Sequence, residues 1–131
     1  MRAEFSGSEE RRDNHILLLD NDAVFGRALG RLLGQVGYRV TVADNATEAL
    51  STHRERPADL VITDTAMRRG EALDLIEVLR ADDPALKFIA ISGGREDRLR
   101  QARRLGARYT FRKPFVTEEV LEAIGEELGE A

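Results

Sequence analysis

Four short apolar runs in this chain end in, or run into, groups with phosphoryl or metal chemistry. HILLLD (15–20) closes on Asp20 and continues into Asn21 and Asp22, and DLVITD (59–64) closes on Asp64. LKFIAIS (86–92) closes on Ser92 with two glycines behind it, and ARYTFR (107–112) runs into Lys113. Carboxylates brought together repel each other unless a cation neutralises them. A donor set of oxygens without imidazole or thiolate suits a hard ion such as Mg²⁺. A carboxylate can also attack phosphorus and form an acyl phosphate, while a lysine and a hydroxyl hold the remaining phosphoryl oxygens. Lys113 stands out on composition too: Lys87 is the only other lysine, and every other Lys/Arg position is arginine.

What could bring these four ends together is the pattern between them. Each apolar run is short and nearly continuous, as a strand covered on both faces must be. Amphipathic segments separate the runs. The first carries Val24, Phe25, Ala28, Leu29, Leu32, Leu33 and Val36 at helical spacing, with Gly37 placed to end it. YRVTVA (38–43) is a further strand candidate that ends in Ala43-Asp44 and offers little chemistry. Asn45 is placed as the N-cap of a second helix reaching about Arg54. A third helix carries Leu73, Leu75, Ile76, Val78 and Leu79, and a fourth, rich in arginine, closes at Gly106. A last helix places Val120, Leu121, Ile124 and Leu128 on one face. Five strand–helix units predict an α/β domain, a doubly wound parallel sheet with helices on both faces. Such sheets bind ligands at the carboxyl ends of their strands, which is where the four groups would meet. The alternation leaves strand order open.

Composition removes several other functions. A length of 131 residues suits one domain, and a net charge of -4 counts against a generic nucleic-acid binder. The absence of cysteine excludes disulfides and thiolate metal sites, and two histidines do not make a histidine-rich zinc site. No apolar run approaches the ~20 residues of a membrane span. The first thirteen residues, MRAEFSGSEERRD, have no apolar stretch of the kind a secretory signal needs. They are expected to be a flexible lead-in, with residues 14–131 forming the domain, and a cytoplasmic protein is the natural reading. His15, opening a strand, is expected to be structural, and His53, near a helix end, is expected to be exposed.

Together LLLDND (17–22), LVITD (60–64), AISGG (90–94) and GARYTFRKPF (106–115) resemble a response-regulator receiver domain, the phosphoacceptor half of two-component signalling. The resemblance runs from about His15 to Leu128. It implies a flavodoxin-like fold, a single five-stranded parallel sheet in strand order 2-1-3-4-5. It makes Asp64 the phosphoacceptor, Ser92 the hydroxyl that turns toward the phosphoryl group and Lys113 its cationic partner. Mg²⁺ would be held by Asp20, Asn21, Asp64 and the backbone carbonyl of Ala66, with Asp22 a further candidate. The Lys113–Pro114 bond is expected to be cis. The implied role is a phosphorelay switch rather than an enzyme. Its phosphoryl group would come from a sensor histidine kinase or a histidine phosphotransfer protein. Because the chain runs out soon after the last helix, output is expected through an unknown downstream protein, without direct contact to nucleic acid or membrane.

Several positions depart from the family pattern. Asn21 stands where a second acid is usual, which predicts weaker Mg²⁺ binding. The loop Ala66-Met67-Arg68-Arg69-Gly70 replaces the usual Pro-Gly, and its two arginines either attract an anionic phosphodonor or are plain solvated charges. Thr110 takes the place of the switch aromatic. Tyr109 lies one residue away and so belongs to the opposite face. These departures leave room for a receiver-like interaction module that is no longer phosphorylated. A third reading, a haloacid-dehalogenase-like phosphatase, would use Asp20 as nucleophile and Asp22 as acid, but leaves Asp64 unexplained. The fourth helix is basic (Arg95, Arg98, Arg100, Arg103, Arg104) and the fifth acidic (Glu118, Glu119, Glu122, Glu126, Glu127, Glu130). These are either solvated faces or the two halves of a symmetric homodimer contact.

Overall fold

Alternation of apolar residues along the strands divides the core into two layers, one on each side of a single sheet. In the computed structural model, which describes residues 2–5, 14–20, 22–65, 71–93 and 96–129, the strands are β1 (Ala3–Phe5), β2 (His15–Leu19), β3 (Arg39–Ala43), β4 (Leu60–Asp64), β5 (Lys87–Ser92) and β6 (Tyr109–Arg112). The helices are α1 (Ala23–Val36), α2 (Ala46–Glu55), α3 (Glu71–Asp82), α4 (Glu96–Arg104) and α5 (Thr117–Glu127). Leu17, Leu19, Val61, Phe88 and Ala90 turn toward residues of α2, α3 and α4, and Ile16, Leu18, Ile62, Ile89 and Ile91 toward those of α1 and α5. Every side chain of β2 and β4 is buried, as a central parallel strand between two helical layers requires.

The sheet order is β1-β3-β2-β4-β5-β6. Its five parallel strands run in the expected order, 2-1-3-4-5 when counted without β1. The sixth strand is a correction to the sequence reading. Residues 3–5, expected within the lead-in, pair antiparallel with β3 (Ala3↔Val42, Glu4↔Thr41, Phe5↔Val40). Three residues with a central glutamate carry too short an alternation to be read as a strand; the open edge of β3 supplies the reason to form one. Residues 1 and 6–13 of the lead-in lie outside the described residues.

Helix α1 sits differently from its apolar stripe. Its buried face is Gly26, Leu29, Gly30, Leu33 and Gly34, and Val24 is 81% exposed. Glycine lets the helix approach the sheet: a Cβ on Gly30 would stand 2.7 Å from a Val42 methyl carbon. Gly37, at φ 120, closes the helix as anticipated, in a conformation that side chains rarely adopt. His15 is buried, with Nε2 2.9 Å from the Thr41 hydroxyl and Nδ1 3.3 Å from the Pro57 carbonyl. His53 is also buried, against expectation. It shares the inward face of α2 with Ala49 and Thr52, and its Nδ1 accepts the Ala58 amide at 3.0 Å. The imidazole thereby satisfies a buried donor in the turn that leads into β4.

Candidate functional site

Strand register brings the chemistry together. Leu19 pairs with Thr63 and Asp64 with Ile91, so Asp20, Asp64 and Ser92 emerge at one level of the sheet. Ser92 pairs with Arg112, and its carbonyl accepts the Lys113 amide at 2.9 Å, which carries Lys113 to the same edge. The Lys113–Pro114 bond is cis, as the resemblance implied. Lys113 Nζ then lies 3.0 Å from Asp20 Oδ2 and 3.2 Å from Asp64 Oδ2. Both carboxylates are almost inaccessible, at 1% and 4% exposure, and Ser92 is buried beside them.

Three neighbours shape this arrangement. The Asp22 amide donates to Asp20 Oδ1 at 2.8 Å, fixing the carboxylate as the chain turns into α1. Gly26 makes room for it, since a Cβ there would come within 3.3 Å of the Asp20 Cβ. The Phe25 ring lies under the ammonium, 4.0 Å from Nζ to its centroid, and meets Phe115 edge-on at 5.7 Å. This aromatic floor closes one side of the lysine while its attraction for a cation adds to the pull of the acids. In the sequence, Phe25 belongs only to a helical stripe, and Phe115 and Gly26 carry no signal of a site. Nothing in their spacing distinguishes a ring beneath a lysine from a ring in a core.

Electrostatically the site is short of positive charge. Burial pushes the Asp20 carboxyl up to about 6, with the nearby Asp64 charge adding to it, against the lowering effects of the Asp22 amide and Lys113. Burial by itself would lower Lys113, but its hydrogen bond to Asp20 and the charges of both acids outweigh that, and its affinity for the proton is raised. Asp20 and Asp64 offer oxygen alone, which is the donor chemistry Mg²⁺ takes, and a cation would relieve the repulsion between them. The residues present therefore fit such an ion, although among the described residues no three acids, histidines or cysteines converge. Thr65, directly after Asp64, has a buried hydroxyl with no hydrogen-bond partner among the described residues.

The structure does not bring every candidate to this cluster. Asp22 Oδ1 accepts the Phe25 amide at 3.1 Å, so one oxygen of this carboxylate caps α1. Asn21, Ala66 and the loop through Gly70 lie outside the described residues, as do Gly94, Arg95 and Glu130. On β6, alternation holds: Tyr109 joins the α1/α5 layer and its hydroxyl donates to the Glu126 carboxylate, while Thr110 Oγ1 accepts from Arg103 of α4 at 2.9 Å. The acidic face of α5 is narrower than its sequence suggests. Glu127 is buried, and Glu126 is engaged with Tyr109.

Comparison with known proteins agrees with this architecture. Residues 16–125 match the family described as the response regulator receiver domain. The chain is 30% identical to the chemotaxis protein CheY of Thermotoga maritima over 111 residues, which is 83% of this chain and 92% of that protein. It is 29% identical to the acid tolerance regulatory protein ActR of Rhizobium meliloti over 119 residues, 90% of this chain. That match takes in 61% of ActR, so the chain spans about three fifths of the length of this relative. The signal receiver domain of an HD domain-containing protein from Pseudomonas fluorescens Pf-5 superposes with a TM-score of 0.83 at 27% identity, covering 90% of this chain and 96% of that one. No helix among the described residues is long and apolar enough to cross a membrane.

Proposed function

The chain belongs to the response regulator receiver domain family, and from that premise we propose that it is a phosphoacceptor switch that takes a phosphoryl group on Asp64 and signals by protein–protein contact. The observation that carries this reading is the single ammonium of Lys113 reaching both buried acids, Asp20 and Asp64, at one edge of the sheet. In the transfer, an Asp64 carboxylate oxygen attacks phosphorus. A new O–P bond forms as the bond from phosphorus to the donor atom breaks, and the donor atom leaves with that electron pair. Lys113 is placed to hold a phosphoryl oxygen once Asp64 no longer presents a free carboxylate, and Ser92 supplies a hydroxyl at the same level. Asp20, Asn21, Asp64 and the carbonyl of Ala66 are the groups that would hold Mg²⁺, which when bound neutralises charge on the phosphoryl oxygens. The Phe25 ring, met edge-on by Phe115, lies against the Lys113 ammonium.

The donor in this reading is a phosphohistidine, on a sensor histidine kinase or a histidine phosphotransfer protein, and the setting is the cytoplasm. Output passes to a downstream protein through the surface that α4 shares with β6. There the Arg103–Thr110 hydrogen bond stands where the family usually has a switch aromatic. A symmetric pairing of two chains through α4 and α5 goes with the same reading; a monomeric mass at high concentration, with and without a phosphoryl mimic, would remove it. Because Asn21 and Thr110 both leave the family pattern, a module that binds its partner without being phosphorylated is the competing reading. The phosphatase reading leaves Asp64 unexplained, and one oxygen of Asp22, the acid it needs, is engaged in capping α1. The deciding experiment is incubation of the full chain with Mg²⁺ and a small phosphodonor, followed by intact mass. The switch predicts one added phosphoryl group on the wild type and none on Asp64→Ala; an unmodified wild type favours the constitutive module.

A further inference from the structure

At the outer edge of β3 an extended segment is held by three different kinds of contact at once. The backbone of residues 3–5 pairs antiparallel with Val40–Val42. The Phe5 ring faces Gly30, where a Cβ would come within 3.0 Å of it, so the missing side chain forms the seat for the aromatic. At the other end of the segment, Arg2 donates to the buried Thr52 hydroxyl at 3.0 Å and to Glu55 at 3.1 Å. Between these anchors, Arg56 donates to Glu4 at 3.4 Å. Charge is matched in both directions, since a base of the segment meets Glu55 at the end of α2 and an acid of the segment meets Arg56, the residue that follows α2.

None of these contacts serves the acid cluster, and edge closure alone does not call for them. An edge strand can be protected by charge, a bulge or any short cover. Pairing plus an aromatic seat plus two charge matches is the arrangement of strand-addition recognition, in which the backbone supplies affinity and alternate side chains supply selectivity. We propose that the β3 edge, Gly30 of α1 and Thr52–Arg56 at the end of α2 form a strand-docking groove. Its ligand is an extended segment with a basic residue, an acidic residue two positions on and an aromatic residue next. Residues 2–5 are that ligand, bound in cis, and they hold the groove closed to other strands.

The test uses the full chain and reads amide hydrogen exchange of Val40–Val42 against that of β4 as an internal standard. Reversing both segment charges (Arg2→Glu with Glu4→Arg) sets like charges against Glu55 and Arg56 and is expected to speed exchange at Val40–Val42 about tenfold. Adding Glu55→Arg and Arg56→Glu restores the matches and the slow exchange. Phe5→Ala empties the aromatic seat without touching the helix–sheet contact of Gly30. The free peptide of residues 1–7, at millimolar concentration, then restores protection to that variant, and the charge-reversed peptide does not. The proposal is overturned if charge reversal leaves exchange unchanged or the compensating pair fails to rescue it. It is equally overturned if both peptides protect alike or neither protects. Dimerisation of Phe5→Ala through the bared edge would also overturn it, because the groove would then take a second copy instead.

Discussion

Replacing Lys113 with methionine keeps most of the side-chain length and removes the charge from between two buried acids. Asp20 and Asp64 are 1% and 4% exposed, and Lys113 Nζ is 3.0 and 3.2 Å from them. Breaking a buried ion pair by removing one partner costs about 3–5 kcal/mol. Two features place this site at the lower end. The lysine side chain keeps 18% exposure, and Asp20, already raised to about 6 by its burial, can take up a proton and discard the uncompensated charge. Because the folded-state value lies above the ordinary 3.8, the folded protein binds that proton more tightly than the unfolded chain. The Asp20 contribution to stability is therefore fully present below 3.8 and is lost as pH rises through about 6. In Lys113→Met the proton is held more tightly still. Urea unfolding in the presence of a chelator should therefore show a loss of ~3 kcal/mol at pH 7.5 and a clearly smaller one at pH 5.5. Adding Asp20→Asn should recover roughly 2 kcal/mol at the higher pH, because one of the two opposing charges is gone. A loss below ~1 kcal/mol at pH 7.5, or an equal loss at both pH values, refutes the claim that this ammonium holds the two acids together.

His15 predicts a pH effect of the opposite sign. Burial lowers its proton affinity below the ordinary 6.5, so its contribution is intact above that value and is lost as pH falls through the folded value, at no more than about 1.4 kcal/mol per pH unit. Between pH 7 and 5, His15→Gln should therefore lose less stability than the wild type in urea melts. Phe25→Leu removes the ring beneath Lys113 and should cost ~1–2 kcal/mol by the same assay; a neutral substitution would mean that the cation–ring contact carries no weight. Asn21→Asp restores a negative charge among the proposed Mg²⁺ ligands and should tighten Mg²⁺ binding about tenfold by calorimetry. Unchanged affinity would separate residue 21 from the metal.

Most of the fold could be read because its central strands are buried on both faces and so appear as unbroken apolar runs, HILLL and LVIT among them. Their chemistry was legible for the same reason, since a polar residue at the end of such a run has to lie at the sheet's carboxyl edge. The edge strand was not legible: Ala3-Glu4-Phe5 is held by contacts with residues 30, 40–42 and 56 that no local pattern reveals. The face of α1 is not legible because hydrophobic spacing gives weight to Val24 and none to glycine, whereas close approach to β3 is decided by Gly26 and Gly30. The burial of His53 is not legible because a histidine late in a polar helix looks solvated, while the Ala58 amide it serves lies across a turn. Within the site, Asp20, Asp64, Ser92 and Lys113 were legible as strand ends. The rings of Phe25 and Phe115 come together only in three dimensions, and of the two readings open for Asp22 the N-cap is present, through its bond to the Phe25 amide.

The central claim is that Asp64 is the residue that accepts the phosphoryl group, and locating the modification within the chain tests it most directly. After reaction with a phosphodonor and Mg²⁺, borohydride reduces an aspartyl phosphate to homoserine, which peptide sequencing by mass spectrometry can place. Homoserine is expected at position 64, with Asp20 unaltered. Homoserine at position 20, or none at any position in protein shown to be folded, would contradict it.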